Sequence, residues 1–304
     1  EGMKIGAIFP HNEITDNPDA VRDYAQAAED LGFNHILAYD HVLGANSATY
    51  SQERLPGPYR EDHLFHEPLV LFGYIAALTK RIELATGVVI LPQRQAALVA
   101  KQAAQVDILS RGRLRLGVGT GWNWVEYEAL GMNFHDRGVR QAEQIQLMRE
   151  LWTKPLVNFE GRFHKVTDAG LNPLPVQRPI PIWLGGMADA VIKRVGEMAD
   201  GWYPRFHQLD PLMKSHRQKR PEEPAELVER MKEHARRAGR DPSKIGIEGF
   251  VAHAGRSPDE WVRDVEGYRA AGCTHVSFNT MYSGLKSPAE HIAEIERFRK
   301  LFPK

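Results

Sequence analysis

Residues 111–131 read RGRLRLGVGTGWNWVEYEALG, and this stretch contains the clearest structural signal of the chain. Apolar residues alternate from Leu114 to Val118, which predicts a short buried strand. The strand is followed by small residues that leave the backbone open, namely Gly119, Thr120 and Gly121. Because glycine has no Cβ, a ligand ring or another backbone can approach closely there. The stretch predicts a strand that ends at a binding site, with a purely structural strand end as the alternative.

A dinucleotide-binding loop is the other function that glycines after a strand suggest. The two possible frames are Gly117-x-Gly119-x-x-Trp122 and Gly119-x-Gly121-x-x-Trp124. Both lack the third glycine, which close packing of helix and strand requires in that motif. The sequence therefore favours a ligand other than a nicotinamide dinucleotide.

Strand and helix patterns alternate eight times along the chain on both sides of this stretch. The predicted strands are residues 3–10, 35–39, 82–91, 113–119, 180–184, 200–203, 245–251 and 275–278. Eight strand–helix pairs within 304 residues, without an evident linker, favour a closed parallel (β/α)8 barrel over a doubly wound sheet. We expect one domain over residues 3–304, with a small hairpin at 158–166 and a capping box at Ser287 and Glu290.

The composition argues against several kinds of partner. Lys and Arg together number 39, as do Asp and Glu, so no net charge attracts nucleic acid or anionic lipid. No stretch has the layout of a signal peptide or the length of a membrane span. The single cysteine, Cys273, excludes an intramolecular disulfide and is predicted to be buried at a strand entry. We expect a cytoplasmic protein without nucleic-acid or membrane partners.

Reactive groups of such barrels lie at the carboxyl ends of the strands, where the loops meet. The predicted strand ends are residues 10–11, 40–41, 87–88, 119–122, 185–186 and 202–205. Asp40 and His41 place an acid beside a group that titrates near neutrality, which suits proton transfer. A structural pair and a metal site with His63 and His66 are the alternatives. The chain has neither HxH nor HExxH, so no metal is predicted.

Several other features point to a ligand of mixed character. Gly185 and Gly186 precede a helix, whose free amides and dipole favour a phosphate. Arg140 and Glu143 lie three residues apart on a predicted helix and could simply pair on its surface. Aromatic rings for the ligand site are expected at strand ends, from Trp122, Trp124 and Trp202. The loops 43–66 and 204–222 are expected to add polar and aromatic side chains, namely Tyr59, His63, His66, Arg205 and His207. The basic run 214–220 is expected to add positive charge.

Taken together and in this order, these motifs resemble the bacterial luciferase-like superfamily of flavin and deazaflavin oxidoreductases, and most of all its F420-dependent subgroup. The resemblance covers roughly residues 3–205 and rests on LGFNHILAYDHV, TKRIELATGVVILP, AKQAAQVDILSRGRLRLGVGTGWNWVEYEALG, DRGVRQAEQIQLMRELW, PIPIWLGG and ADGWYP. It implies a (β/α)8 barrel with the cofactor ring over the strand ends, and a non-prolyl cis peptide at Gly87-Val88 behind the ring.

The resemblance also implies roles for individual residues. His41, Asp40 and Glu126 are the expected catalytic residues. The expected cofactor-binding residues are Thr86, Gly87, Val88, Gly119, Thr120, Gly121, Trp122, Arg140, Gly185, Gly186 and Met187. Members that oxidise sugar phosphates carry Glu directly after GTG, whereas this chain has Trp122, which suggests a more apolar substrate.

The expected reaction is hydride transfer between coenzyme F420 and a small organic substrate. A two-component monooxygenase that uses reduced FMN and O2 is the alternative within the family. A metal-dependent hydrolase or isomerase and a cofactor-binding protein without catalysis are the alternatives outside it. The resemblance further implies a homo-oligomer, a dimer or larger, and a separate flavin or F420 reductase as a candidate partner.

Overall fold

The computed structural model describes residues 2–206, 209 and 222–303. His207, the basic run 214–220 and most of the insertion 204–222 lie outside the described residues. The elements are β1 (Lys4–Ile8), α1 (Pro18–Asp30), β2 (His35–Ala38), α2 (Pro68–Leu78), β3 (Glu83–Thr86), β4 (Val89–Ile90), α3 (Ala96–Leu109), β5 (Leu114–Gly119), α4 (Trp124–Ala129), α5 (Arg137–Thr153), β6 (Val157–Glu160), β7 (Lys165–Ala169), β8 (Ile182–Gly185), α6 (Asp189–Met198), β9 (Gly201–Tyr203), α7 (Pro224–Arg237), β10 (Gly246–Ala252), α8 (Pro258–Ala270), β11 (His275–Asn279) and α9 (Pro288–Lys300).

The main sheet has the strand order β3-β2-β1-β11-β10-β9-β8-β5-β4, and a further pairing of β3 with β5 closes it. Register partners show parallel pairing, for example Ala7 with Phe278 and Val89 with Val118. The antiparallel pair β6 and β7 forms a separate hairpin at the predicted place. The fold is a (β/α)8 barrel, which confirms the fold class predicted from the alternation of strand and helix.

The chain divides into two compact units, residues 1–38, 81–85 and 183–304 in the first, and residues 39–80 and 86–182 in the second. The single domain predicted for residues 3–304 stays a prediction. In the first unit, buried His35 places Nε2 2.7 Å from Glu248 Oε1 and 2.9 Å from Ser277 Oγ. A Cβ on Gly6 would lie 2.1 Å from that imidazole, so this glycine makes room for the histidine.

Helix starts follow the local sequence. Asn17 caps α1 by accepting from the amide of Asp19 at 2.9 Å. At α9, Ser287 accepts from the amide of Glu290 at 3.3 Å, as predicted. The other half of the predicted capping box is wrong, because the Glu290 carboxylate accepts from the amide of Lys286 instead of that of Ser287.

Three further findings bear on the sequence predictions. Cys273 is buried, as predicted, and burial, with a smaller contribution from Glu248, raises the pKa of its thiol to about 12. No helix in the described part of the chain is long and apolar enough to cross a membrane. The short helix α4, directly after the glycines of β5, was not predicted, and it carries Glu126.

Candidate active site

The residues of the candidate site belong to the second unit, and Asp40 is one of them. Its side chain is buried, with Oδ2 accepting from the amide of Ile90 at 2.8 Å and Oδ1 accepting from Arg94 Nη2 at 2.7 Å. Arg94 also donates from Nη1 to Glu67 Oε1 at 3.0 Å. Burial lowers the pKa of Arg94, but Asp40 and Glu67 outweigh that effect and raise its pKa above the ordinary value.

Asp40 makes its hydrogen bonds inside the fold. One carboxylate oxygen accepts from the amide of Ile90, the last residue of β4, and the other accepts from Arg94. Asp40 therefore holds the end of β4 in place. The catalytic role expected for Asp40 stays a prediction, and the ion pair with Arg94 was not visible from sequence.

His41 contacts the second predicted catalytic carboxylate. Nδ1 of His41 lies 3.1 Å from Glu126 Oε2, and Glu126 is almost wholly buried. Glu126 Oε1 accepts from the amides of Val42 and Leu43, the latter at 3.0 Å. The helix α4 provides this placement, because Asn123 caps it and accepts from the amide of Glu126 at 3.4 Å. Glu126 therefore reaches His41, which sequence alone did not establish.

Aromatic rings surround the imidazole of His41. Tyr59 stacks on it with ring centroids 4.2 Å apart and an interplanar angle of 18°. Phe65 and Trp122 meet it edge-on, at 5.0 Å and 5.6 Å. We call His41, Glu126, Tyr59, Phe65 and Trp122 the His41 cluster. Phe65 was not singled out from the sequence, since an isolated aromatic in a long polar loop carries no periodic signal.

The loop 43–66, which is expected to contribute to the ligand site, is folded on itself and against the cluster. A Cβ on Gly44 would lie 2.3 Å from the carbonyl carbon of Arg60, and one on Gly57 would lie 2.4 Å from the ring of Trp122. The guanidinium of Arg60 is buried and donates to the carbonyls of Leu55 and Tyr59, each at 2.8 Å. These close approaches hold the loop in one conformation over His41.

The glycines of β5 make room for neighbouring side chains. A Cβ on Gly119 would lie 2.5 Å from Val88 Cγ2, and one on Gly121 would lie 2.9 Å from Ile90 Cγ2. Gly121 also has φ of 66°, which disfavours other residues. The peptide between Gly87 and Val88 is cis, as the resemblance implied. Contact with a cofactor stays a prediction for these residues.

Two predicted cofactor-binding threonines already have partners inside the fold. The hydroxyl of Thr86 is buried and forms hydrogen bonds with both the amide and the carbonyl of Gly117, each at 2.8 Å. The carbonyl of Thr120 accepts from the Tyr127 hydroxyl at 2.6 Å. The Thr86 side chain therefore joins β3 to β5, and contact of either threonine with a cofactor stays a prediction.

Arg140 and Glu143 serve different parts of the second unit. Arg140 is buried, so the alternative of a surface pair is wrong, and its guanidinium donates to the carbonyls of Pro92 and Asn133 at 2.8 Å and 2.7 Å. Glu143 accepts from the amide of His164 at 2.8 Å in the turn of the β6–β7 hairpin. The hydrogen bonds of Arg140 join backbone segments, and a cofactor contact by this residue stays a prediction.

The predicted phosphate cradle lies in the first unit. Gly186 has φ of 128°, its carbonyl accepts from Trp202 Nε1 at 2.8 Å, and α6 starts two residues after Met187. The first turn of α6 carries Asp189, which pairs with Arg230 at 3.0 Å. Phosphate binding by Gly185, Gly186 and Met187 stays a prediction.

The tryptophans do not share one environment. Trp122 belongs to the His41 cluster, whereas Trp124 donates to the carbonyl of Arg54 at 3.5 Å and meets Tyr50 edge-on. Trp202 is wholly buried in the first unit.

Among the residues that the structure describes, no three His, Cys, Asp or Glu side chains form a group that could hold a metal. His63 instead accepts from the amide of Arg60 at 3.2 Å.

Comparison with known proteins agrees with this fold. A family model described as luciferase-like monooxygenase matches residues 3–300. The chain therefore belongs to the luciferase-like monooxygenase family, whose members include oxidoreductases that use F420 and others that use flavin. This confirms the family predicted from the motifs.

Individual relatives differ in the activity that their names describe. The uncharacterized protein Rv0940c of Mycobacterium tuberculosis is 34% identical over 250 residues, 79% of this chain and 82% of its own length. An F420-dependent glucose-6-phosphate dehydrogenase of Amycolatopsis mediterranei is 32% identical over 191 residues, 61% of this chain and 53% of its own length. The pyrimidine monooxygenase RutA of Allorhizobium ampelinum is 32% identical over 180 residues, 58% and 46% of the two chains.

Solved structures show the same fold at low identity. The monooxygenase RslO1 from Streptomyces bottropensis superposes with a TM-score of 0.77 at 19% identity, over 99% of this chain and 98% of its own. An F420-dependent secondary alcohol dehydrogenase superposes with a TM-score of 0.76 at 18% identity, over the full length of both chains. At this identity the likeness supports the barrel and carries no information on the cofactor.

Proposed function

We propose that this protein is an oxidoreductase that transfers a hydride between coenzyme F420 and a small organic substrate, with His41 as the proton carrier. One observation carries the proposal. Nδ1 of His41 is held by Glu126, whereas Nε2 has no hydrogen-bond partner among the described residues and is not fully enclosed. An imidazole fixed at one nitrogen and available at the other is suited to general acid–base catalysis.

We infer from membership of the luciferase-like family that a flavin-type cofactor would bind beside this imidazole. Bound F420 would supply the carbon that takes or gives the hydride. The residues proposed to hold it are Thr86, Gly87, Val88, Gly119, Thr120, Gly121, Trp122, Arg140, Gly185, Gly186 and Met187. The aromatic rings of Phe65 and Trp122 limit water near His41, which favours hydride transfer over side reactions.

The chain's own groups would move the proton. Nε2 of His41 would accept it from a substrate hydroxyl during oxidation, or return it to a carbonyl oxygen during reduction. Glu126 would stabilise the imidazolium that forms, because its carboxylate lies 3.1 Å from Nδ1. Asp40 would act indirectly, through the end of β4, where it accepts from the amide of Ile90.

The FMN-dependent monooxygenase is the second candidate. Two observations favour it: the similarity to RutA over 180 residues, and the apolar ring of Trp122 where sugar-phosphate-oxidising members carry a carboxylate. F420 remains the preferred cofactor, because a fixed proton carrier beside the ring is what reversible oxidation of an alcohol requires.

Binding and turnover on one preparation test the proposal. We expect F420 to bind at micromolar concentration or tighter, and FMN in either redox state to bind much more weakly, by fluorescence quenching and calorimetry. Preference for reduced FMN would support the monooxygenase. Binding of neither would contradict both, and binding without turnover on a broad substrate panel would indicate a non-catalytic protein.

Replacement of His41 tests the proton carrier directly. H41A is expected to lower turnover by about 10²–10⁴-fold while the cofactor Kd stays within several-fold. H135A is the control, because His135 is exposed and lies outside the His41 cluster. Unchanged turnover in H41A would remove His41 from the mechanism. The predicted homo-oligomer and the separate reductase stay predictions.

A further inference from the structure

Tyr59 is held firmly against His41 although it lies in a long loop. It is 7% exposed, stacks on the imidazole, and meets the ring of Phe65 edge-on at 4.9 Å. The guanidinium of Arg60 donates to its carbonyl at 2.8 Å. A side chain packed and hydrogen-bonded in this way has few alternative positions, so its hydroxyl has a defined place beside His41.

The hydroxyl itself has no hydrogen-bond partner among the described residues, and it is not fully enclosed. Three buried tyrosines donate from their hydroxyls to carbonyls inside the fold, Tyr24 to that of Ile8, Tyr127 to that of Thr120, and Tyr268 to that of Phe250. Because the Tyr59 hydroxyl is accessible and uses no partner among the described residues, it is available to donate a hydrogen bond to a ligand.

The Tyr59 hydroxyl is a donor over the neutral range. Burial raises the pKa of Tyr59, and the carboxylates of Glu126 and Asp40 raise it further. The phenol therefore stays protonated up to a higher pH than an unperturbed tyrosine does. Next to it, Nε2 of His41 is an acceptor when the imidazole is neutral, so the two groups offer one donor and one acceptor.

The charges around this pair disfavour an anionic ligand. Within the described part of the second unit, the guanidinium of Arg60 is engaged by two carbonyls and that of Arg94 by Asp40 and Glu67. Glu126 adds a negative charge next to His41. A phosphate or carboxylate placed at the pair would meet this charge without a free guanidinium from Arg60 or Arg94.

We propose that the Tyr59 hydroxyl donates a hydrogen bond to the substrate oxygen beside His41, and that this site takes an uncharged molecule with a hydroxyl or carbonyl group. The proposal rests on the proposed function, because it assigns the substrate class of the same site. Trp122 and Phe65 supply the apolar walls that such a molecule would contact.

Binding of an inert carbonyl compound tests this without turnover. Calorimetry with the full chain would compare isobutyramide, an uncharged carbonyl probe, with isobutyrate, its anionic counterpart. We expect isobutyramide to bind and isobutyrate to bind at least about tenfold more weakly. Y59F is expected to weaken isobutyramide binding about three- to tenfold, the value of one hydrogen bond. The Y59F fold is expected to be intact, because the hydroxyl has no partner in it.

Y50F is the matched control, since Tyr50 lies on the same loop against Trp124, away from His41. Equal isobutyramide affinity in Y59F and wild type, equal affinity for the two probes, or no isobutyramide binding at about 50 mM would each overturn the proposal. Titration of F420 on the same samples separates the two proposals. If F420 does not bind but Y59F still weakens isobutyramide binding, only the proposed function is overturned. If F420 binds but Y59F leaves isobutyramide affinity unchanged, only the role of Tyr59 is overturned.

Discussion

The carboxylate of Glu126 joins His41 to the start of the following loop. Oε2 lies 3.1 Å from Nδ1 of His41, while Oε1 accepts from the amide of Leu43 at 3.0 Å. A carboxylate only accepts hydrogen bonds, so neutral His41 must carry its proton on Nδ1. Glu126 therefore selects the tautomer in which Nε2 is the acceptor.

The substitution E126Q tests this selection. A glutamine can keep its oxygen on the loop amides only by turning its NH2 toward Nδ1 of His41, which reverses the tautomer. We expect turnover to fall by about 10²–10⁴-fold with little change in cofactor affinity. The ring-nitrogen chemical shifts of ¹⁵N-labelled histidine would show directly which nitrogen of His41 carries the proton.

Glu128, exposed on the same helix α4, supplies the control E128Q, which should leave both the tautomer and turnover unchanged. If E126Q kept the proton on Nδ1 yet lost turnover, Glu126 would act on the substrate itself instead of positioning His41.

Loss of the Asp40 charge should affect stability more than chemistry. D40N leaves the Arg94 guanidinium, 13% exposed, with Glu67 as its remaining charged partner. Breaking a buried ion pair from one side costs about 3–5 kcal/mol in the free energy of unfolding. Urea unfolding would measure this loss, with D62N at an exposed aspartate as the control. A stable D40N with abolished turnover would restore a catalytic role for Asp40.

The fold was largely predictable because each strand and helix carries its own periodic pattern. β5 and its glycines, the hairpin of β6 and β7, and the caps of α1 and α9 follow from local residues. The short helix α4 was missed because WVEYEA, only six residues, has no repeat long enough to detect. That omission mattered, since α4 is what brings Glu126 to His41.

The contacts of the candidate site were less predictable than the fold. The strand-end rule singled out Asp40 and His41, but which carboxylate faces the imidazole depends on tertiary packing. Arg94 and Phe65 gave no signal, because a lone arginine or phenylalanine in a sequence has many ordinary explanations. Arg140 was predicted for a cofactor, yet its donors face backbone carbonyls that only the folded chain brings near.

Gly119, the last residue of β5, and Gly121, just after it, should respond differently to replacement by alanine. At Gly119 the obstacle is steric, since a Cβ would lie 2.5 Å from Val88 Cγ2. We expect G119A to cost about 1–3 kcal/mol in unfolding free energy, and V88A to recover part of that loss in the double variant. Chemical denaturation of the four proteins of this cycle gives the coupling energy. A coupling near zero would mean that the strand shifts instead.

At Gly121 the backbone contributes a second obstacle, because φ is 66° and a Cβ would also lie 2.9 Å from Ile90 Cγ2. Replacing Ile90 by a smaller residue does not relieve the backbone strain of an alanine with positive φ. The double variant of G121A with I90A is therefore expected to recover a smaller share of the lost stability than the Gly119 pair, because only the steric part of the cost is relieved. Recovery of equal size at both positions would show that the backbone at Gly121 adapts.

A buried histidine in the first unit should make stability fall in mild acid. His291 is wholly buried, with Nδ1 2.6 Å from Thr280 Oγ1 and Nε2 3.5 Å from Glu13 Oε1. Burial, together with His253, lowers its pKa from 6.5 to about 4, despite the opposing effect of Glu290. The unfolded chain therefore binds a proton at this residue below about pH 6.5, whereas the folded chain does not until about pH 4.

More protons bound in the unfolded state mean that the free energy of unfolding decreases as pH falls through this window. At about 1.4 kcal/mol per pH unit, the loss from this one group amounts to about 2–3 kcal/mol by about pH 4.5. H291Q removes the titration, so its unfolding free energy should depend less on pH by that amount. Urea unfolding at about pH 7, pH 5.5 and pH 4.5 would measure both proteins. Parallel pH profiles for wild type and H291Q would show that His291 accepts its proton in the folded state, through rearrangement toward Glu13.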